Sequence, residues 1–145
     1  MLMLGTILEM KAADVYLLTA ETINGIEGKY EVPSNHQLAQ NTSGSNVYSL
    51  KITSMPETSF WFRIGVSRES NQMQPEVNGD PLTINEEGTQ NPTYYNNISN
   101  GSDKAWKVSY TAGEYEYLTV NVDITEGATR RVWIEGKKTS AGESG

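Results

Sequence analysis

Hydrophobic and polar side chains alternate most regularly between Ser59 and Val66. Because successive side chains of a β-strand point to opposite faces, this alternation predicts a strand with two different faces. The face expected to join the core carries Phe60, Phe62, Ile64 and Val66. Trp61 and Arg63 share the other face, where an indole beside a guanidinium is more typical of a contact surface than of core packing.

The same period of two recurs in further segments, with turn-forming residues between them. These segments are residues 14–20, 47–53, 105–110, 115–124 and 129–135. Asn24-Gly25 is a strong signal for a tight turn, and no segment shows the three- and four-residue spacing of an amphipathic helix. Short strands separated by turn signals indicate an all-β protein, and we predict an antiparallel β-sandwich, immunoglobulin-like or related.

Turn sequences between neighbouring strands predict how those strands are connected. A turn at Met55-Pro56-Glu57-Thr58 separates residues 47–53 from the strand that begins at Ser59, so we expect a hairpin there. The strands at residues 105–110 and 115–124 are joined by the turn Thr111-Ala112-Gly113. Trp106 lies in the same row as Val108, which predicts that its indole belongs to the core.

The length of the chain fits one domain. Its 145 residues suffice for a hydrophobic core, and we assign residues 14–136 to the domain and residues 137–145 to a polar tail. Residues 1–13 hold an apolar run that ends in Lys11-Ala12-Ala13. This run resembles the end of a secretory signal peptide, the alternative being a first strand. We therefore expect an exported protein at the cell surface or outside the cell.

Charge and composition exclude several functional classes. The formal net charge of −7 argues against nucleic-acid binding, which needs a basic footprint. The chain has no cysteine, so it forms no disulfide, thiolate metal site or cysteine nucleophile. No other segment approaches transmembrane length, so we expect no direct membrane insertion. The sequence predicts no cofactor.

Two polar segments are predicted to be irregular, namely residues 33–46 and 68–104, with a strand fragment at residues 82–84. Long irregular segments inside a compact domain are often functional. The second segment contains Tyr94, Tyr95, Asn96 and Asn97, which join two aromatic rings to two amides.

The strand series resembles the β-sandwich modules of SusE/SusF-like proteins, which are outer-membrane-associated starch-binding proteins of Bacteroidetes. The resemblance is carried by the alternation at residues 47–52 and 60–64, the Trp-led strand at residues 105–108, Gly113-Glu114-Tyr115, and the alternating strand at residues 118–123. It implies binding of a polysaccharide or oligosaccharide such as starch or another α-glucan. It also implies an association with the outer membrane and with other cell-surface glycan-uptake proteins. Members of that family are anchored through a lipidated cysteine, which this sequence lacks.

A neutral sugar presents C–H-rich ring faces and a rim of hydroxyls, so a protein that binds it needs exposed flat aromatics with polar partners at their edges. The residues that supply this mixture are Trp61, Arg63, Tyr94, Tyr95, Asn96 and Asn97. We predict that they bind carbohydrate without catalysis. The alternative is that Trp61 packs under the long loop, with the two tyrosines attaching that loop to the sheet.

Other chemistry-bearing residues favour structural roles. The pair Arg131 and Trp133 is expected to be a structural stack, and His36, the only histidine, is expected to be solvated in a polar loop. Asn78-Gly79-Asp80 lacks the ligand spacing of a calcium loop and is interpreted as a solvated acidic turn. We predict a protein that is not an enzyme and binds no metal.

The rival class is a structural or adhesive protein, such as an appendage subunit or a phage-associated surface domain. In that interpretation the aromatic surface around Trp61 would contact protein partners, and edge strands would pair between subunits.

Overall fold

A computed structural model describes residues 13–30, 32–66, 73–90, 92–93, 104–125 and 130–140. Its strands are β1 Val15–Leu18, β2 Thr22–Ile23, β3 Ile26–Glu27, β4 Gln37–Gln40, β5 Val47–Ile52, β6 Ser59–Val66, β7 Asp80–Pro81, β8 Ile84–Glu86, β9 Trp106–Ser109, β10 Tyr115–Asp123 and β11 Arg131–Lys138. A single 3₁₀ turn at Pro33–His36 precedes β4 in this part of the chain. The predicted all-β class is therefore confirmed, and β11 extends two residues into the predicted polar tail.

Nine of the described strands form one curled sheet in the order β7-β9-β6-β1-β4-β5-β10-β11-β8. The pairings are antiparallel except at the two ends, where β7 lies parallel to β9 and β8 lies parallel to β11. The sheet is thus mixed, in contrast to the predicted antiparallel arrangement. An immunoglobulin-like sandwich stays a prediction.

The concave side of this sheet holds one hydrophobic core. In β6 the inward row Phe60, Phe62 and Ile64 is fully buried, as the alternation predicts. Trp106 is also fully buried, and its ring lies 5.6 Å from that of Phe62. Rows from β10 and β11 complete the core from the other half of the sheet, with Leu118, Val120, Val122, Val132 and Ile134 buried. The predicted core position of Trp106 is therefore confirmed.

The predicted hairpin between β5 and β6 is wrong. β5 pairs with β4 and β10, whereas β6 pairs with β1 and β9. The strands on either side of the turn at residues 111–113, β9 and β10, also lie in different halves of the sheet. Alternation along a strand shows which side chains share a face, but it does not show which strand lies beside it. Both connections therefore have the sequence of a hairpin turn, although they carry the chain across the core.

The segment at residues 33–46, predicted to be a loop, contains the 3₁₀ turn and β4. Its His36 is only 4% exposed, so the prediction of a solvated histidine is wrong. The ring Nε2 lies 3.1 Å from the carbonyl oxygen of Ile23 and 3.0 Å from that of Ile26. Because both partners are acceptors, Nε2 is the protonated ring nitrogen, and its N–H group donates a hydrogen bond that the two carbonyl oxygens share. This contact attaches the 3₁₀ turn to the β2–β3 hairpin.

The two end strands of the sheet come from one short stretch of chain. Only Leu82 and Thr83 separate β7 from β8. Leu82 is 3% exposed and its amide donates to the Lys107 carbonyl at 3.0 Å. We call residues Asp80 to Glu86 the closing segment, since it pairs with β9 at one end of the sheet and with β11 at the other.

Asp123 at the end of β10 makes stability depend on pH. Burial by itself raises the pKa of this carboxyl. The carboxylate, however, accepts hydrogen bonds from the Thr125 hydroxyl at 2.7 Å, the Thr125 amide at 2.9 Å and the Arg131 guanidinium at 3.1 Å. These contacts outweigh burial, so the pKa of Asp123 is lowered. A lowered folded-state pKa gives stability that is fully present above the unfolded value, about 3.9, and is lost as the pH falls through the folded value.

We therefore expect Asp123→Asn to reduce the free energy of unfolding by about 1 kcal/mol at neutral pH and to flatten the acid side of the stability profile. Urea denaturation at a series of pH values measures both effects. Asp14→Asn, which changes an exposed carboxylate, is the control. A loss that is as large at acid pH as at neutral pH would contradict the assignment.

Candidate functional site

The outward row of β6 begins with an indole that is open to solvent. Trp61 is 37% exposed, whereas its neighbours Phe60 and Phe62 are fully buried, so its predicted outward orientation is confirmed. Its carbonyl oxygen accepts from the Thr19 hydroxyl at 2.7 Å, and its amide donates to a Glu21 carboxylate oxygen at 2.9 Å. These side chains continue the hydrogen bonding beyond the end of β1, which fixes the backbone that carries the indole.

A glycine lies directly against the six-membered ring of Trp61. A Cβ atom added to Gly79 would lie 2.9 Å from Cη2 and 3.2 Å from Cζ3 of the indole. Gly79 has a φ of +85°, and its amide donates to the Ala105 carbonyl at 2.8 Å. The Asn78 side-chain oxygen accepts from the Ala105 amide at 3.0 Å. The Asn78-Gly79-Asp80 turn therefore supports the indole.

Charged side chains of both signs border the exposed ring. Lys107 is the cross-strand partner of Trp61, and its Nζ lies 5.8 Å from the ring centroid. Pro81 lies beside Lys107 on β7, so the three residues form one row across the sheet. On the other side of β6, Glu21 contributes the carboxylate that accepts from the Trp61 amide. The ring thus lies between a hydrogen-bond donor and an acceptor.

Arg63 shares this face but is not available at the surface. It is 8% exposed, and its guanidinium carbon lies 4.4 Å from the ring centroid of Tyr30. The segment that precedes Tyr30 is held in place by a hydrogen bond, in which the Gly28 amide donates to the Glu21 carbonyl at 3.0 Å. The cation of Arg63 thus contacts an aromatic ring of the protein, and its predicted part in carbohydrate binding stays a prediction.

Tyr30 is the aromatic residue that the sequence analysis missed. It is 39% exposed and covers Arg63, which is two residues from Trp61 on the same face. Two half-exposed rings therefore border the outer face of β6. We call Trp61, Tyr30, Glu21 and Lys107 the Trp61 surface. The other predicted ligand-binding residues, Tyr94, Tyr95, Asn96 and Asn97, lie outside the described residues.

A second polar face covers β5, β10 and β11. The Ser49 hydroxyl donates to Asn121 Oδ1 at 2.6 Å, and Asn121 Nδ2 donates to Glu135 at 3.2 Å. Lys51 Nζ lies 4.0 Å from the Tyr117 ring centroid. The Tyr117 hydroxyl donates to Glu87 at 2.6 Å, and this hydrogen bond raises the pKa of Tyr117. Because these groups satisfy one another, a structural role is favoured for this face.

The described acidic residues do not assemble a metal site. In the ranges given above, no three histidine, cysteine or carboxylate side chains lie close enough together to hold a metal ion. Arg131, predicted to stack with Trp133, forms an ion pair with Asp123 at 3.1 Å. Trp133 is half-buried on the outer face of β11, between the buried Val132 and Ile134.

Within the described part of the chain, no helix has the length and apolar character needed to cross a membrane. Comparisons of the chain with protein-family models, with curated proteins and with solved structures found no match.

Proposed function

We propose that this protein binds a polysaccharide without catalysis and that the Trp61 surface is its contact site. The observation that carries the proposal is the exposed indole of Trp61, held on a central strand by hydrogen bonds at both its amide and its carbonyl. A rigid, half-exposed aromatic ring removes the apolar face of a sugar from water at little conformational cost.

The polar groups around the ring would fix the orientation of the sugar. Lys107 supplies donors and Glu21 supplies acceptors for hydroxyl groups at the rim of a pyranose. Tyr30 adds a second exposed ring on the same face. Shallow sites of this kind have modest affinity, so binding to a long polymer depends on several modules acting together.

The resemblance to SusE/SusF-like modules supports starch or another α-glucan as the polymer. In this proposal the protein is exported and works at the cell surface beside other glycan-uptake proteins. The proposed cellular location and the proposed polymer are supported by the resemblance. The choice of contact residues is supported by the geometry of the Trp61 surface.

A structural or adhesive role is the second candidate, and exposed apolar side chains favour it. Ile26 is 44% exposed, Val32 41% and Val77 66%, and such side chains often mark protein contacts. Pairing of edge strands between subunits is less favoured, because the two end strands of the described sheet, β7 and β8, are only two and three residues long. A partner protein would therefore contact side chains rather than backbone.

Affinity electrophoresis tests the proposal. The wild type, Trp61→Ala and the control Trp133→Ala are run through gels that contain starch, other α-glucans, xylan or β-glucans. We expect one polymer class to retard the wild type and the control. Trp61→Ala is expected to bind at least about tenfold more weakly, which corresponds to about 1.4 kcal/mol.

Circular dichroism of each variant excludes loss of folding as the cause. If no polymer retards the wild type, or if Trp133→Ala loses binding while Trp61→Ala keeps it, the proposed site is wrong. Retention of a partner protein without any glycan binding would favour the adhesive role.

A further inference from the structure

A cleft of about 240 Å³ opens at the end of the molecule, where two chain crossings meet. One wall is the β5–β6 connection and the other is the β9–β10 connection. The side chains that matter for its chemistry are those of Met55, Glu57, Tyr110, Glu114 and Tyr115. None of the residues that line this cleft belongs to the Trp61 surface. Its size suits a small ligand or a single side chain.

The two tyrosines contribute aromatic rings to the cleft, and their hydroxyl groups carry no charge. The Tyr110 hydroxyl donates to the Pro56 carbonyl at 2.5 Å. Burial, and next the charge of Glu21, raise the pKa of Tyr110 to about 12. Burial and then the Glu114 carboxylate raise the pKa of Tyr115. Both phenols are therefore neutral at physiological pH, and their rings offer π-electron density to a ligand.

The charge of the lining is negative. Glu57 and Glu114 contribute carboxylates, and the described residues that line the cleft include no lysine, arginine or histidine. Glu114 is partly engaged, since it accepts from the Thr111 amide at 3.0 Å and lies 3.8 Å from Lys138 Nζ. Glu57 is exposed and makes no hydrogen bond or ion pair in the part of the chain that the structure describes. An anionic ligand is disfavoured, and a cation is attracted.

We propose that this cleft binds an ammonium group on a short aliphatic stem, from a free amine or from a lysine side chain. The ammonium would lie near Glu57 and the tyrosine rings, which attract cations through charge and through the ring quadrupole. The methylene groups would contact Met55. An ammonium has three donors and no acceptor, and it complements a lining whose charged groups are acceptors only.

The experiment is a titration of the ¹⁵N-labelled full chain followed by the amide signals of Thr111 and Glu114. Three probes with aliphatic stems of three or four carbons are compared at neutral pH: n-butylammonium, n-butanol and butyrate. Nα-acetyl-lysine N-methylamide is the fourth probe and represents a lysine side chain. We expect both ammonium probes to shift these signals in a saturable way, and the tighter of the two identifies the source.

Glu57→Gln tests the residue assignment, because this exposed carboxylate has no described partner whose loss would disturb folding. We expect it to weaken n-butylammonium binding by about fivefold or more. Glu76→Gln removes the same charge from an exposed position outside the cleft lining and should leave the affinity unchanged. Equal shifts with butanol or butyrate, no saturable shift with either ammonium probe, or equal losses in the two variants would overturn the proposal.

Discussion

Trp106→Ala is expected to lower the free energy of unfolding by about 3–5 kcal/mol, the range typical of large aromatic truncations in a close-packed core. The indole is fully buried at the start of β9, and its ring lies 5.6 Å from the ring of Phe62. Its removal leaves a cavity between the two halves of the curled sheet, where neighbouring side chains have little freedom to collapse. Urea denaturation followed by circular dichroism measures the loss.

Trp61→Ala is the matched control because it removes the same side chain from an exposed position. Trp61 is 37% exposed, so we expect a loss of about 1 kcal/mol or less. The ratio of the two losses tests the orientation of the strands directly. Similar losses would mean that the inward and outward rows of β6 and β9 are not as described.

Gly28→Ala is expected to cost about 2–3 kcal/mol through overpacking. A Cβ atom at position 28 would lie 2.1 Å from the Thr19 carbonyl oxygen and 2.8 Å from the Glu21 carbonyl oxygen. Both are backbone atoms, so the clash is relieved only by moving the chain. Such a movement breaks the hydrogen bond from the Gly28 amide to Glu21 and displaces Tyr30 from Arg63.

Gly44→Ala separates steric overlap from backbone strain. Gly44 has a φ of +83° and nothing within 4 Å of an added Cβ, so its substitution should cost only about 1 kcal/mol of conformational strain. Thermal and urea denaturation compare the two variants. If Gly44→Ala proves the more damaging change, close packing at Gly28 is not what the fold requires.

The faces of the strands could be predicted from the sequence because they depend on neighbours one and two residues away. Phe60, Phe62 and Trp106 are buried and Trp61 is exposed, as the alternation indicates. Strand partners depend on contacts between distant segments, which a local pattern does not record. For this reason the sequence predicts a pairing of β5 with β6, although each of them pairs with other strands.

The candidate site was predictable only in part, for the same reason. Trp61 points outward because of the alternation along β6, which the sequence shows. Arg63, by contrast, is covered by Tyr30, which comes from a separate segment without a regular pattern. The polar neighbours of His36 in the sequence predict a solvated side chain, whereas its imidazole contacts two carbonyl oxygens of the β2–β3 hairpin. Burial of a polar side chain depends on the partner that satisfies it, and that partner is distant in the chain.

The closing segment also links the stability of the two ends of the sheet. Joining a strand to a distant partner costs loop-closure entropy. Once Asp80 and Pro81 are paired with β9, however, only two residues separate them from Ile84, the start of the strand that pairs with β11. The second pairing then occurs at a high effective concentration and costs little additional entropy. The turn that supports Trp61 adjoins β7, so loosening this turn would also release β8 at the opposite end of the sheet.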